Sequence, residues 1–202
     1  MEVIIISKHT YEVNYKTKRV ICDSLKYFMK QKPLDKITVM EIMQHCGMIR
    51  QHFYYHFEDI YDLVHWMFEE EAISLLSQHE GALLWQDGLF QLFHYLQANR
   101  DICLCVLHSN GKEYVKHFLQ NDIHSMIHHI IQSLADQIGY HDQDAIELTT
   151  LFYISSLTDL IERWLMGELH QTPEELIQFV DTFLKDHVHG AKMRMEQEAK
   201  TG

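Results

Sequence analysis

Breakers are scarce in this chain: eight glycines and two prolines punctuate 202 residues. A β-sandwich or barrel needs many tight turns, and glycine and proline are the residues that make them. Long uninterrupted stretches therefore point to an all-α fold. Apolar residues make up 47% of the chain, enough for a packed core, which excludes a disordered polymer. No apolar run approaches the roughly 20 residues that span a bilayer. Val3-Ile4-Ile5-Ile6 lacks the charged flank and cleavage site of a signal peptide, so a cytoplasmic protein is expected. Cys22, Cys46, Cys103 and Cys105 show no zinc or thioredoxin spacing and are read as reduced thiols.

A net charge of -12 argues at first against a nucleic-acid partner. Its distribution reverses that reading. Residues 1–57 carry nine Lys/Arg against five Asp/Glu, a charge of +4, whereas the remainder carries -16. Phosphate binding needs only local positive charge, and an acidic remainder keeps the molecule in solution. The pattern predicts a small basic head, residues 14–57, on an acidic body, residues 58–190.

Residues 1–13 have no useful periodicity and are expected to form a loose arm. From Asn14, Val20, Ile21, Leu25, Phe28 and Met29 recur at helical spacing up to Pro33. Thr38-Val39-Met40-Glu41 has the form of a capping box opening a short second helix. Gly47 supplies a turn, and a third short helix carries Arg50 to Phe57, with Phe53 and Phe57 four apart on one face. Asp59 caps a fourth helix expected to run from Ile60 to about Gln78. Beyond a break at Gly81, helical patterns cover Gln86–Ala98, Asp101–His108, Lys112–Ile138, Asp142–Met166 and Pro173–His189, with a frayed end from Met195.

Two short helices joined by a tight turn place the second in the major groove of DNA. Arg50 suits guanine edges or phosphate, Gln51 suits adenine, and Tyr54, Tyr55 and His56 can donate to phosphates. An ordinary solvated helix is the alternative for this surface.

The runs Ile37-Thr38-Val39-Met40-Glu41-Ile42, Cys46-Gly47-Met48-Ile49-Arg50-Gln51-His52-Phe53-Tyr54-Tyr55-His56-Phe57 and Tyr61-Asp62-Leu63 resemble the DNA-binding head of the TetR/AcrR regulators. That resemblance implies an all-helical homodimer on double-stranded operator DNA, with three helices in the head and about six in the body for effector sensing and dimerisation. It implies a recognition helix at Ile49–His56 and phosphate contacts at Thr38, Tyr54, Tyr55 and their neighbours. The expected DNA-facing set is Lys16, Lys18, Lys36, Thr38, Arg50, Gln51, His52, Tyr54, Tyr55 and His56. Two departures stand out. Ile49 replaces the small hydroxyl residue that caps the recognition helix in many members, and Glu58-Asp59 stands where many carry a basic residue. Affinity is then expected to rest more on Lys16, Lys18, Lys36 and Arg50.

Trp85-Gln86-Asp87-Gly88-Leu89, Tyr95-Leu96, Asn99-Arg100 and the stretch from Gly111 to Phe118 resemble the body of a Firmicutes branch of that family. The branch includes regulators similar to the activator of the dihydroxyacetone-kinase operon, and it implies control by a partner protein rather than by a ligand in the core.

Leu148, Leu151, Phe152, Ser155 and Asp159, with Leu176, Phe179, Val180 and Phe183, form stripes on the last two long helices. In the resembling family such helices pair across the dimer; a core role is the alternative. Trp66, Phe90, Phe93, Tyr95, Tyr153 and Trp164 are the candidate lining of an effector pocket, again against a core role. His117, His124 and His128 fall near one helical face, but no cysteine or carboxylate close in sequence completes a ligand set; neither they nor His187 and His189 make a metal site, and no cofactor is expected. No nucleophile elbow, phosphate-binding glycine loop or His-Glu-x-x-His occurs, so an enzyme is not expected. A helical protein–protein adaptor with a degenerate DNA-binding head is the competing function.

Overall fold

The computed structural model describes residues 2–77 and 85–201; of residues 2–11, 118 and 201 it describes the backbone alone. The described chain is helical, with no strand among the described residues. Among the described residues ten α-helices follow in order: α1 Glu2–Met29, α2 Val39–His45, α3 Arg50–His56, α4 Ile60–Phe68, α5 Ser74–Ser77, α6 Trp85–Ala98, α7 Arg100–Leu107, α8 Lys112–Gln137, α9 Gln143–Met166 and α10 Pro173–Thr201. Contacts divide the chain into two compact units. One comprises Met1–Phe68 with Asn99–Lys116, the other Glu69–Ala98 with His117–Gly202.

In the first unit, Ile21, Leu25 and Met29 recur every four residues along α1 and are buried, together with Cys22. They form the inward stripe of an amphipathic helix. Ser24, also buried, donates its hydroxyl to the Ile42 carbonyl at 2.9 Å and stands 2.9 Å from His45 Nδ1. Since that hydroxyl proton is already committed, His45 donates from Nδ1. This polar tie fixes α2 on α1 inside an otherwise apolar contact. Asp59 caps α4 by accepting from the Tyr61 and Asp62 amides at 2.8 and 2.9 Å.

The second unit packs Leu89, Leu92, Phe93 and Leu96 of α6 and Ile123, Ile130 and Ile131 of α8. The inward residues of α9, Ile146, Tyr153 and Ile154, and those of α10, Leu176, Ile177 and Val180, complete the core. Thr150 is fully buried but donates to the Ile146 carbonyl at 2.9 Å, which satisfies its hydroxyl at low cost.

Three local expectations are corrected. The segment 2–13 is the start of α1 rather than a loose arm: no glycine or proline interrupts it, and helix propagates cheaply once nucleated. The C-terminal end from Met195 does not fray, because its Glu, Gln, Ala and Lys are strong helix formers and α10 runs on to Thr201. The fourth helix is not continuous. After Phe68 a π turn spans Glu69–Ile73, turning Ala72 inward, before α5 resumes. Its expected end near Gln78 and the expected break at Gly81 lie outside the described residues. No described helix is long and apolar enough to cross a membrane.

Candidate nucleic-acid interface

Local chemistry builds the α2–α3 pair. The Glu41 amide donates to Thr38 Oγ1 at 3.3 Å, while the Thr38 amide and hydroxyl donate to Glu41 Oε2 at 3.0 and 2.8 Å. Lys32 adds a 2.6 Å ion pair to Glu41 Oε1. Hydrogen bonds from Lys32 and Thr38 hold the Glu41 carboxyl down at about 2, from an ordinary 4.5. At the other end of α2, Gly47 takes φ 68°, and the Met48 amide returns to the Met43 carbonyl at 2.8 Å. That left-handed position is what glycine supplies without steric cost. Helix α3 then begins at Arg50, anchored by Phe53 and Phe57, which are buried.

The opposite face of α3 is open. Arg50, Gln51, His52, Tyr54 and Tyr55 face solvent, with Tyr55 73% exposed. Arg50 lies along Tyr54: Nη2 and Nε donate to Tyr54 Oη at 2.8 and 3.3 Å, and the guanidinium carbon is 5.3 Å from the ring centre. His56 is half-buried, and burial first, then the charges of Lys18 and His52, lowers its pKa. Lys16, Lys36 and Thr38 are exposed.

Lys18 behaves differently from its neighbours. It is half-buried, with Nζ 5.2 Å from the Phe57 ring centre and 5.3 Å from that of Trp66. Two aromatic faces hold the ammonium where it props the base of α3. Ile49 is the uncapped entry to α3: its φ/ψ of -84°/150° are those of an N-cap, no side-chain bond is made there, and 59% of it is exposed. Glu58 and Asp59 both face solvent, and the Asp59 carboxylate is spent on capping α4. The Lys32–Glu41 pair escaped sequence reasoning; its signal was a lysine six residues before a capping-box threonine.

The other candidate groups separate. Trp66 belongs to the first unit, in edge contact with Tyr15 and tilted on Phe57. In the second unit Phe93 meets Trp164 edge-on at 5.0 Å, Phe90 meets His94, Tyr95 donates to Glu71 at 2.9 Å, and Tyr153 pairs with His187 at 3.1 Å. A cavity of about 300 Å³ does exist in that unit, but none of the six proposed residues lines it. The α6 positions that face it are Trp85, Leu89 and Leu92, a helical stripe whose phase excludes Phe90, Phe93 and Tyr95. The sequence supplied the aromatic residues without that phase.

The stripes on α9 and α10 also divide. Leu148, Leu151, Phe152, Ser155, Asp159, Phe179 and Phe183 are exposed, forming an apolar face with a polar margin, and the Phe179 and Phe183 rings stack at 6.2 Å. Leu176 and Val180 instead turn into the core of their own unit, on the inward face of α10.

Three histidines of α8 find partners. His124 Nε2 and His128 Nδ1 address the two oxygens of Glu147 at 2.8 and 3.3 Å, and His117 pairs with Asn121. Among the described residues no group of three or more His, Cys, Asp or Glu is arranged to hold a metal. The four cysteines are free thiols, and burial pushes Cys103 up to about 12.

Residues 84–186, just over half of the chain, match a family model described as a transcriptional regulator C-terminal region. Over 84 residues the chain is 31% identical to the HTH-type dhaKLM operon transcriptional activator DhaS of Lactococcus lactis subsp. lactis (strain IL1403). That match takes in 42% of this chain and 45% of the relative, so the chain spans about half the length of the curated protein it matches. Among solved structures, the dihydroxyacetone kinase operon activator DhaS superposes with a TM-score of 0.66 at 20% identity, over 86% of this chain and 96% of that one. A structure described as a transcriptional regulator from Pseudomonas aeruginosa PAO1 gives 0.69 at 17% identity, over 89% and 94%. Both solved structures share the all-helical fold.

Proposed function

The chain belongs to the TetR family of transcriptional regulators, and from that premise we propose that it grips double-stranded operator DNA as a cytoplasmic homodimer through α2 and α3. The observation that carries this reading is the two-sided character of α3. Phe53 is 0% exposed and anchors the helix, while Arg50, Gln51, His52, Tyr54 and Tyr55 all face outward. A short helix with a buried anchor and a polar, aromatic, cationic outer face fits a major groove. Residues 14–57 act as the DNA-binding head, with Lys16, Lys18, Lys36, Thr38 and His56 supporting the exposed face of α3. In this role Lys18 acts as a prop beneath α3, given its seat between Phe57 and Trp66.

Two heads reach half-sites about 34–36 Å apart only as a dimer. The exposed face of Leu148, Leu151, Phe152, Phe179 and Phe183 supports pairing of two copies through α9 and α10. Residues 58–190 sense an effector or a partner protein and bias the separation of the two heads. The curated relative is named an activator of the dhaKLM operon, so activation is the direction to test first.

The test is a salt titration of binding to the DNA upstream of the gene and of its neighbouring operon. Affinity falling steeply with salt, together with preference over unrelated DNA, supports the reading. Absence of sequence-dependent binding at low salt sinks it in favour of an adaptor.

A further inference from the structure

We infer that Tyr54 is a positioning residue that aims Arg50 at a guanine, so that phosphate gripping and base reading are coupled within one turn of α3. This rests on the proposed DNA-binding role of α3 and deepens it. The guanidinium carries five N–H groups on a planar frame. Its Nε and Nη2 each donate to Tyr54 Oη, at 3.3 and 2.8 Å, so the edge formed by those two nitrogens is occupied by the phenol. The other edge, formed by Nη1 and the remaining Nη2 hydrogen, stays free, and it presents two parallel N–H groups. That is the fork that matches O6 and N7 of guanine in the major groove.

The phenol oxygen accepts both arginine hydrogen bonds, so its own proton is left to donate outward. A phosphate oxygen is the acceptor that a duplex lying on this face provides, and the adjacent positive charge makes the phenol a better donor. Arg50 and Tyr54 are four apart on a helix, so both reach the same side, and both are exposed. An arginine held in this way arrives at the groove with less rotamer freedom to lose, which sharpens discrimination between bases. Without the phenol oxygen, Arg50 still carries its charge but loses its aim.

The experiment starts from the full-length protein and a random-sequence duplex pool, from which the preferred site is selected. Each position of that site is then varied singly, and affinities are compared for the wild type, Arg50→Ala, Arg50→Lys and Tyr54→Phe. Circular dichroism checks that each variant remains helical. The wild type should prefer guanine at one position of each half-site by about tenfold or more. Arg50→Ala and Arg50→Lys should abolish that preference, the latter because an ammonium keeps the charge without the fork. Tyr54→Phe should cut the same preference to about twofold to threefold and leave discrimination at other positions intact. A uniform affinity loss in Tyr54→Phe, with the guanine preference unchanged, reduces Tyr54 to a phosphate contact and overturns the inference. A selected site with no Arg50-dependent guanine overturns it as well. Failure of the wild type to enrich any site defeats the underlying DNA-binding reading and this inference with it.

Discussion

Gly111 lies flat against the ring of Tyr61: a Cβ added to the glycine would overlap Tyr61 Cε1, Cδ1 and Cζ. The phenol of Tyr61 donates to Asp35 Oδ1 at 2.9 Å, and the same carboxylate accepts from the Asn110 amide at 3.1 and 3.2 Å. The turn before α8 is thereby clasped to the segment that precedes α2 and to α4, all within the first unit. Gly111→Ala must displace the Tyr61 ring or the turn, and overpacking of this kind costs about 1–3 kcal/mol. Urea unfolding should show a lower midpoint for Gly111→Ala, whereas the same substitution should cost little further in a Tyr61→Ala background, where the ring it would overlap is absent. An unchanged midpoint for Gly111→Ala would contradict the contact.

The capping box of α2 carries a pH signature. The Glu41 carboxyl is depressed from 4.5 to about 2, so its contribution is fully present above the ordinary value. It is lost as pH falls from about 4.5 through about 2. Glu41→Gln should therefore melt below the wild type at neutral pH, with the gap closing between about pH 4.5 and 2. Melting curves of both proteins across that range provide the measurement, and a gap that stays constant would refute the assignment.

Ile49 occupies an N-cap with extended geometry and offers no acceptor to α3. Ile49→Ser places a hydroxyl there without changing the backbone, and a good cap is worth about 1 kcal/mol. Because the isoleucine is largely exposed, little packing is lost. Chemical denaturation should show Ile49→Ser to be the more stable protein; a lower midpoint would mean that Ile49 packs on something more valuable than a cap.

The apolar face on α9 and α10 makes a solution prediction. Phe152→Asp with Phe179→Asp alters side chains that are 53% and 60% exposed, so the protomer core is spared. Sedimentation velocity should show a wild-type dimer and a helical monomer for the double variant. A variant that sediments as the wild type does would move the interface elsewhere.

How far the sequence alone determined this protein follows from the range of the forces involved. Scarcity of breakers dictated helix, and the helices from α6 to α10 start within a residue or two of their expected limits. The Thr38–Glu41 box and the Gly47 turn depend on groups three to five residues apart, so they were legible without a structure. Phe53 and Phe57 were legible for the same reason, since helical period alone puts them on one side. Tertiary packing decided the rest. It set the phase of α6, which turned Leu89 and Leu92 rather than Phe90 and Tyr95 toward the cavity. On α10 it buried Leu176 and Val180 and left Phe179 and Phe183 outside. It also drew Lys18 between Phe57 and Trp66 and pressed Gly111 onto Tyr61. Hydrogen bonding within a turn is a property of neighbours in sequence. Which way a stripe faces is settled only when another helix, distant in sequence, arrives to cover it.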